Sequence, residues 1–293
     1  MNRQVTLKNI SPDGTPLQVT YLPDQGMNLM SYCIGQTEVI DQSTYTLFEK
    51  RFAGLGPLIG PHFHMQKDIP SNFDPSLFPH IARTQAEGRK DPFSHGIARY
   101  VPWKTVESET QIKAKLSGSD LYKGVPLSTF EGQDFEMTYE ARLLSTGLHI
   151  VYKLESEKPS VIGLHYYYRL PGKGEIHGEI DPLYRDKDTW KSLPDQWAGS
   201  KKSQLQFCLP QIADFGFIPQ KKHVKDHLYE VILNTDDYSL HSKFNSCSDQ
   251  DFSYQVFHPE GASYVCVGPL STKTPLTPTL KSNTLEVHLQ VFI

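Results

Sequence analysis

The sequence has no run of apolar residues long enough to cross a membrane as a helix, and no cluster of basic residues. Its 29 Lys and Arg are nearly balanced by 33 Asp and Glu, which gives a formal net charge of -4. Nucleic acids and anionic membranes are bound through concentrated positive charge, so we expect neither as a partner. The first residues, Met1–Thr6, lack the apolar core of a signal peptide, and we expect a cytoplasmic protein.

Cysteine is also scarce in this chain. The four cysteines are far apart and form no Cys-x-x-Cys pair: Cys33, Cys208, Cys247 and Cys266. Disulfide frameworks and cysteine zinc sites both need closely spaced or numerous cysteines. We therefore interpret the four residues as reduced thiols.

Sustained helical periodicity and internal repeats are absent, and short alternating segments separated by turn residues take their place. Leu7–Ile10 and Leu17–Leu22 flank a Ser-Pro-Asp-Gly turn, which is typical of a hairpin. Phe135–Leu143 and Leu148–Leu154 alternate apolar and polar residues on either side of Ser145-Thr146-Gly147. Such spacing predicts an all-β architecture.

Four further segments carry separate expectations. Val161–Leu170 is predicted to be a strand, and Leu285–Phe292 alternates as a final strand. Asp181–Ser203 is polar and could hold a short helix or an irregular excursion. The long polar stretch from Met65 to Ser94 is punctuated by Pro and Gly, which predicts a loop: a lid or rim over a site, or a variable surface insertion.

The most informative stretch is Ser94–Trp103, which brings His95, Gly96, Arg99 and Trp103 together. Histidine exchanges a proton near neutral pH, arginine presents a rigid fork of donors, and tryptophan offers a flat apolar face. Glycine lets the backbone approach a ligand closely. A polyhydroxylated ring requires these properties. The residues alone also allow a buried histidine, a surface arginine and a core tryptophan that are neighbours by chance.

Three other histidines have open interpretations. On a strand, His62 and His64 would project to the same side, as a metal site, a sugar-binding rim or a solvated pair. The spacing from Gly56 matches the opening of the cupin metal motif, but Asp68 stands near the place of the expected glutamate and no second motif follows. His165, within an aromatic strand, is either a satisfied core residue or a catalytic one.

Three motifs in order resemble the aldose 1-epimerase, or galactose mutarotase-like, family, nearest its glucose-6-phosphate 1-epimerase branch. They are His95–Arg99 followed by Trp103, Gly163–Tyr168, and Tyr264–Pro269. The opening segment Leu17–Asp41 also resembles the family's first hairpin. The resemblance implies a β-supersandwich of large antiparallel sheets over one domain, residues 1–293, with a sugar-binding cleft, no cofactor and no metal.

In that family a histidine protonates the ring oxygen of the sugar while a glutamate takes the proton of the anomeric hydroxyl. The resemblance implies that His165 is the acid and that His95 holds or polarises the sugar oxygens. It further implies that Arg99 contacts the substrate or braces the site, and we also expect substrate to be bound by His62, His64, Arg51, Trp103 and Tyr167. Two positions depart from the pattern: Gly268 stands in the place of the glutamate, and Ala53 in the place of an arginine.

Three functions remain as alternatives. The first is an isomerase that interconverts the α and β anomers of a hexose or related sugar, phosphorylated or not. The second is a sugar-binding protein on the same scaffold without catalysis, since Gly268 cannot carry a proton. The third, a lesser alternative, is a metal-dependent β enzyme that uses His62 and His64.

Overall fold

The structure is a computed structural model and describes residues 3–64, 74–86, 88, 93–220, 228–246 and 251–293. The predicted lid or insertion between positions 65 and 94 falls partly outside these ranges, at residues 65–73, 87 and 89–92. Within the described part of that stretch lies an α-helix rather than a loop.

Twenty-two strands make up about half of the described chain. They are β1 (Val5–Ile10), β2 (Pro16–Leu22), β3 (Asn28–Ile34), β4 (Thr37–Glu38), β5 (Leu58–Ile59), β6 (Lys104–Glu107), β7 (Gln111–Ser117), β8 (Leu121–Tyr122), β9 (Val125–Pro126), β10 (Phe135–Leu144), β11 (Gly147–Ser156), β12 (Gly163–Leu164), β13 (Tyr167–Arg169), β14 (Gly174–Asp186), β15 (Thr189–Ser192), β16 (Gln204–Leu209), β17 (Ala213–Pro219), β18 (Tyr229–Thr235), β19 (Ser239–Ser246), β20 (Ser253–His258), β21 (Tyr264–Leu270) and β22 (Ser282–Phe292).

Helices are few and short in the described residues. The α-helices are α1 (Tyr45–Arg51), α2 (Pro79–Ala86) and α3 (Leu127–Glu131). Single 3-10 turns occur at Pro23–Gln25, Gln42–Thr44, Pro75–Leu77, Ile97–Arg99 and Asp195–Trp197. None of the helices in the described part of the chain is long and apolar enough to span a membrane.

Two antiparallel sheets dominate the fold. The smaller has four strands in the order β1-β2-β3-β4. The larger has sixteen, running β5-β12-β21-β20-β17-β14-β18-β19-β22-β11-β10-β7-β6, with β13 beside β21 and with β15 and β16 beside β14. The predicted all-β class of large antiparallel sheets is confirmed.

The predicted hairpins are confirmed in their register. β1 pairs with β2 from Val5 opposite Tyr21 to Ile10 opposite Pro16, across the Ser-Pro-Asp-Gly turn. β10 pairs with β11 along ten residues, and β22 lies between β11 and β19. Alternation fixes this register because one face of each strand is buried, and a slip by one residue would expose every apolar side chain.

The core between the two sheets contains a chain of buried tyrosines. Tyr21 of β2 and Tyr139 of β10 share a hydroxyl hydrogen bond of 3.1 Å, and Tyr139 shares another of 2.9 Å with Tyr166. All three side chains are fully buried. Their hydroxyls satisfy one another where water is excluded, so the segment next to His165 is anchored to both sheets.

Three segments differ from the sequence-based expectation. Val161–Leu170 is not one strand: β12 and β13 are separated by His165 and Tyr166, because the backbone of this segment bonds irregular chain at Pro57 and Leu55. Asp181–Ser203 begins as strand, since β14 runs through to Asp186 and turns into β15, although the expected short helix is present as the 3-10 turn at Asp195–Trp197. The described part of the predicted 65–94 loop contains α2, whose residue Ile81 is buried.

Candidate functional site

A cavity of about 670 Å³ opens beside β13, β17, β20 and the 3-10 turn at Ile97–Arg99. One part of its lining is aromatic or imidazole: Phe63, His64, His95, Tyr100, His165, Tyr167, Phe257 and Tyr264. Another part is charged or amide: Arg51, Arg99, Arg185, Lys187, Asp214 and Gln255. The volume lies within the range of small-molecule sites.

The loop that holds His95 is hydrogen-bonded to the chain on either side of His62. His95 donates its backbone N–H to the Phe63 carbonyl (2.9 Å), and its own carbonyl accepts from Gly60 N–H (2.8 Å). Gly96 has φ +86°, and a Cβ there would overlap the backbone carbonyl of Gly60. Glycine is therefore required by both the conformation and the close approach, and the loop fixes the position of His95.

Arg99 follows on the same turn and is almost fully buried. Its Nε donates to the Leu58 carbonyl at 3.0 Å, which holds the guanidinium beside the cavity. Arg51 reaches the lining from the C-terminal end of α1. Arg99 is thus positioned by the loop of His95, and Arg51 by the separate helix α1.

Irregular backbone brings His165 to the cavity. Its N–H bonds the Pro57 carbonyl at 3.0 Å, and the N–H of Tyr167 bonds the Leu55 carbonyl at 2.8 Å. The imidazole of His165 stacks on the ring of Tyr167, with centroids 5.0 Å apart and planes 20° apart. The break between β12 and β13 thus places His165 and Tyr167 side by side in the cavity lining.

The imidazoles form a continuous row along one wall. The His64 and His95 ring centroids are 5.0 Å apart, and those of His95 and His165 are 5.1 Å apart. Nδ1 of His95 and Nδ1 of His165 are buried and make no hydrogen bond to any described residue. A histidine that serves only the core is normally satisfied at its buried nitrogens, so this arrangement favours a functional role.

Burial and nearby positive charge keep both central histidines neutral. Desolvation, followed by the Arg99 guanidinium, lowers the pKa of His165 from 6.5 to about 3. The same two causes, with further repulsion from His165, His64 and His62, lower the pKa of His95 well below its usual range. A negative group bound in the cavity would oppose these effects and favour the imidazolium form.

The polar wall is a hydrogen-bonded relay of three side chains. Arg185 donates through a terminal guanidinium nitrogen to Gln255 Oε1 (2.8 Å), and Gln255 Nε2 donates to Asp214 Oδ1 (2.7 Å). The amide orientation is fixed because a guanidinium can only donate and a carboxylate can only accept. Burial lowers the pKa of Arg185 to about 10, so it remains charged at neutral pH.

Most residues expected at the site meet in this cavity. The structure places His95, His165, Arg99, His64, Arg51 and Tyr167 in its lining. They come from α1, the segment after β5, the 3-10 turn at Ile97–Arg99 and the strands around His165. The sequence places more than a hundred positions between the first and the last of them.

Two expected residues lie elsewhere. His62 turns away from the cavity, with Nδ1 2.5 Å from Glu131 Oε1, because residues 61–64 are not a strand and do not alternate as expected. His62 and His64 therefore do not project together. Trp103 is buried in the core, where its Nε1 donates to the Ala98 carbonyl at 2.8 Å, so its ring does not face the cavity.

The metal alternative gains no structural support from this geometry. In the described ranges, no three His, Cys, Asp or Glu side chains lie where they could hold a metal ion together. His62 is engaged by Glu131, whose second oxygen accepts the N–H of Ile97 at 3.3 Å. The pair ties the chain at His62 to the loop of His95.

Position 268 has no room for a side chain. A Cβ on Gly268 would overlap the carbonyl oxygen of Leu164, the residue before His165, and lie 3.2 Å from Cys266 Sγ. Gly268 pairs with Gln255 across β20 and β21. Adding a glutamate here would displace the backbone at Leu164 and His165, so a carboxylate at this position is incompatible with the observed path of the chain.

Sequence reasoning missed the polar wall. Gln255 and Phe257 are two positions apart on β20, so their shared face could have been identified once one of them was placed. Asp214 and Arg185 carry no local signal, because their proximity depends on the pairing of β14, β17 and β20 in the large sheet.

Comparison with known proteins identifies the fold. No family model matches the chain, and no curated protein matches its sequence. Among solved structures, a galactose mutarotase-like protein from Lactobacillus casei has a TM-score of 0.66 at 12% identity, covering 99% of this chain and 100% of that one.

Two further structures agree with this comparison. A GalM/aldose epimerase homologue from C. elegans has a TM-score of 0.64 at 13% identity, covering 99% of both chains. A galactose mutarotase-like protein from Clostridium acetobutylicum has a TM-score of 0.60 at 10% identity, covering 98% of both chains. Across nearly its whole length, the chain is similar to these proteins in the arrangement of its sheets.

Proposed function

We propose that this protein binds a hexose or related sugar in the cavity and interconverts its α and β anomers. The observation that carries the proposal is the pair of imidazoles, His95 and His165, with ring centroids 5.1 Å apart in a lined cavity. Aromatic rings suit the apolar face of a sugar, while the arginines and the amide suit its hydroxyls.

The reaction requires a proton at the ring oxygen and the removal of one from the anomeric hydroxyl. His165 is the proposed acid, and His95 is the proposed donor that orients the sugar oxygens. Ring opening, rotation about the C1–C2 bond and closure then give the other anomer. This is general acid–base catalysis, for which no cofactor is proposed.

The charge of the cavity supports a sugar with a negative substituent such as phosphate. Its described lining has four cationic side chains, Arg51, Arg99, Arg185 and Lys187, against the single carboxylate of Asp214. An anion would be stabilised by these groups and would also raise the pKa of His165 from about 3. A phosphorylated hexose therefore suits both binding and the proposed acid.

The proposal is tested by polarimetric decay of fresh α-glucose, α-galactose and their 6-phosphates, corrected for spontaneous mutarotation. We expect acceleration by the wild-type protein on at least one sugar. His165→Asn should lower that acceleration by roughly 10²–10⁴-fold, because asparagine forms hydrogen bonds but cannot deliver a proton at neutral pH.

His177→Asn is the matched control, since His177 is a half-buried histidine of β14 that pairs with Glu175 outside the cavity. It should retain the wild-type rate. Catalysis that survives His165→Asn unchanged would show that the acid is another residue.

A second candidate function is sugar binding without catalysis. It is favoured by Gly268, which stands where the resembled family has its base and which cannot accept a side chain. Calorimetric titration with the same sugars separates the two functions. Measurable binding with no acceleration on any sugar would establish the non-catalytic function and reject the isomerase.

A further inference from the structure

We propose that Asp214 is the general base of this site, in place of a carboxylate at position 268. The inference rests on the proposed isomerase function. Asp214 lies on β17, which pairs with β20. Gly268 lies on β21, the other neighbour of β20. The proton acceptor would then be supplied by β17 and not by β21.

Position 268 has no space for the carboxylate side chain that the resembled family carries there. The Leu164 carbonyl fills the space that the first carbon of a side chain would need there. Both groups are backbone on neighbouring strands, so neither can yield without moving His165. The proton acceptor must therefore come from elsewhere in the lining.

Asp214 is the carboxylate available in that lining. Among the described residues around the cavity no other Asp or Glu occurs, and the side chain of Asp214 is exposed at the wall. The register places Asp214 opposite Phe257, whose ring meets the His165 ring edge-on at 5.8 Å. A sugar between His165 and Asp214 would have acid and base on different sides of its anomeric centre.

The relay from Arg185 holds this carboxylate in one orientation. Gln255 Nε2 donates to Asp214 Oδ1, while Oδ2 accepts no hydrogen bond from the described part of the chain. Arg185 in turn fixes Gln255 and donates to the Lys187 carbonyl at 2.8 Å. One oxygen is therefore committed to positioning and the other can accept a proton.

The proton transfer balances without a further reactant. Oδ2 of Asp214 takes the proton of the anomeric hydroxyl, and the O–H electron pair becomes the second bond of the C1 carbonyl. The C1–O5 bond breaks, and its electron pair on O5 takes a proton from His165. After rotation about C1–C2, the reverse transfers close the ring and regenerate both groups.

Asp214→Asn tests the inference, because asparagine keeps an acceptor for Gln255 but cannot take up the proton. We expect the acceleration of mutarotation to fall by roughly 10²-fold or more. Affinity for glucose 6-phosphate, measured by calorimetry, should stay within a few-fold of the wild-type value. Asp214→Glu, which keeps a carboxylate, should retain more activity than Asp214→Asn.

Asp24→Asn is the matched control, an exposed aspartate outside the cavity lining. An Asp214→Asn protein that binds sugar and accelerates mutarotation as fast as this control would overturn the inference while leaving the proposed function intact. A wild-type protein with no acceleration on any sugar would reject both. Loss of activity in Asp214→Asn with restored activity in Asp214→Glu supports the inference even if the first variant is less stable.

Discussion

Single residues decide how this site differs from the pattern that its sequence resembles. At Gly268 the backbone of β21 lies against the Leu164 carbonyl, and the strand pair leaves no space for Cβ. The carboxylate of the cavity comes instead from Asp214, oriented by Gln255. Any side chain at position 268 would therefore require a different backbone path at Leu164 and His165.

We expect Gly268→Ala to lower the free energy of unfolding by roughly 1–3 kcal/mol, because overlap of two backbone segments forces one strand to shift. The same shift should lower mutarotation by moving His165. Chemical denaturation and polarimetry on the same preparation measure both effects.

Gly178→Ala is its control. Gly178 also lies in a strand, but a Cβ there would be 3.3 Å from the Glu230 carbonyl oxygen and would meet no closer atom. It should be tolerated with a much smaller loss of stability. Equal stability of the two variants would show that the strand pair at Gly268 is looser than the structure indicates.

The sequence identified much of the aromatic wall and little of the polar one. His95 and Arg99 are neighbours in one motif and His165 lies in another, and the resemblance of these motifs to a known family marked all three as candidates. Asp214, Gln255 and Arg185 come together only through the pairing of distant strands. Their hydrogen bonds are a product of sheet order, for which one sequence contains no direct signal.

At the scale of elements, the loop of His95 depends on its contact with Gly60. Gly96 has φ +86°, and its α-carbon lies against the Gly60 carbonyl. Glu131 of α3 adds hydrogen bonds to His62 and to Ile97 N–H on either side of that contact. The chain at Gly60 and His62, the loop of His95 and α3 are therefore bonded to one another, and together they position the His95 imidazole.

Gly96→Ala should lower the free energy of unfolding by roughly 3 kcal/mol or more, because a side chain with positive φ must also overlap a backbone carbonyl. It should also reduce catalysis by displacing His95. Thermal or denaturant unfolding measures the first effect, and polarimetry the second.

Gly14→Ala separates conformation from contact. Gly14 has φ +88°, close to that of Gly96, but no atom lies within 4 Å of its would-be Cβ. We expect a loss of about 1 kcal/mol for the unfavourable φ alone. If the two variants were equally stable, the close approach to Gly60 would contribute nothing.

Alternating elements were predictable, and broken ones were not. β10, β11 and β22 alternate along their length because one face is buried in the core. The interruption at His165 depends on hydrogen bonds to Pro57 and Leu55, which are remote in sequence. α2 lies in a polar, proline-rich stretch whose mean composition concealed the buried Ile81.

At the scale of the whole molecule, the buried histidines link stability to pH. The pKa of His165 is about 3 in the folded protein against 6.5 for an exposed histidine, and that of His95 is lowered too. Between these values the unfolded chain binds protons that the folded one does not. The contribution of these two histidines to stability should therefore be constant above about pH 7 and fall as the pH drops below 6.5.

For His165 the expected slope approaches about 1.4 kcal/mol per pH unit below its unfolded pKa, with His95 acting in the same direction. Urea unfolding of wild type and of His165→Asn at pH 7.5, 6.5 and 5.5, at constant ionic strength, measures it. The variant should lose less stability on acidification, since all other titrating groups are common to both. Parallel curves would contradict the burial of a neutral imidazole.

The large sheet brings strands that are distant in sequence together around one cavity. β13, β17, β20 and β21 supply Tyr167, Asp214, Gln255 and Tyr264 from neighbouring positions of the sheet. The loops before β6 supply His64, His95 and Arg99, and the break between β12 and β13 supplies His165. A sugar bound there would contact residues from both halves of the chain.

Exchange NMR on 1-¹³C-labelled glucose 6-phosphate and glucose at anomeric equilibrium tests the proposed isomerase without any coupled reaction. We expect cross-peaks between the α and β C1 signals whose build-up rate rises with wild-type protein concentration and returns to the spontaneous rate with His165→Asn. Build-up at the spontaneous rate with wild-type protein, for both sugars, would contradict the proposed isomerase.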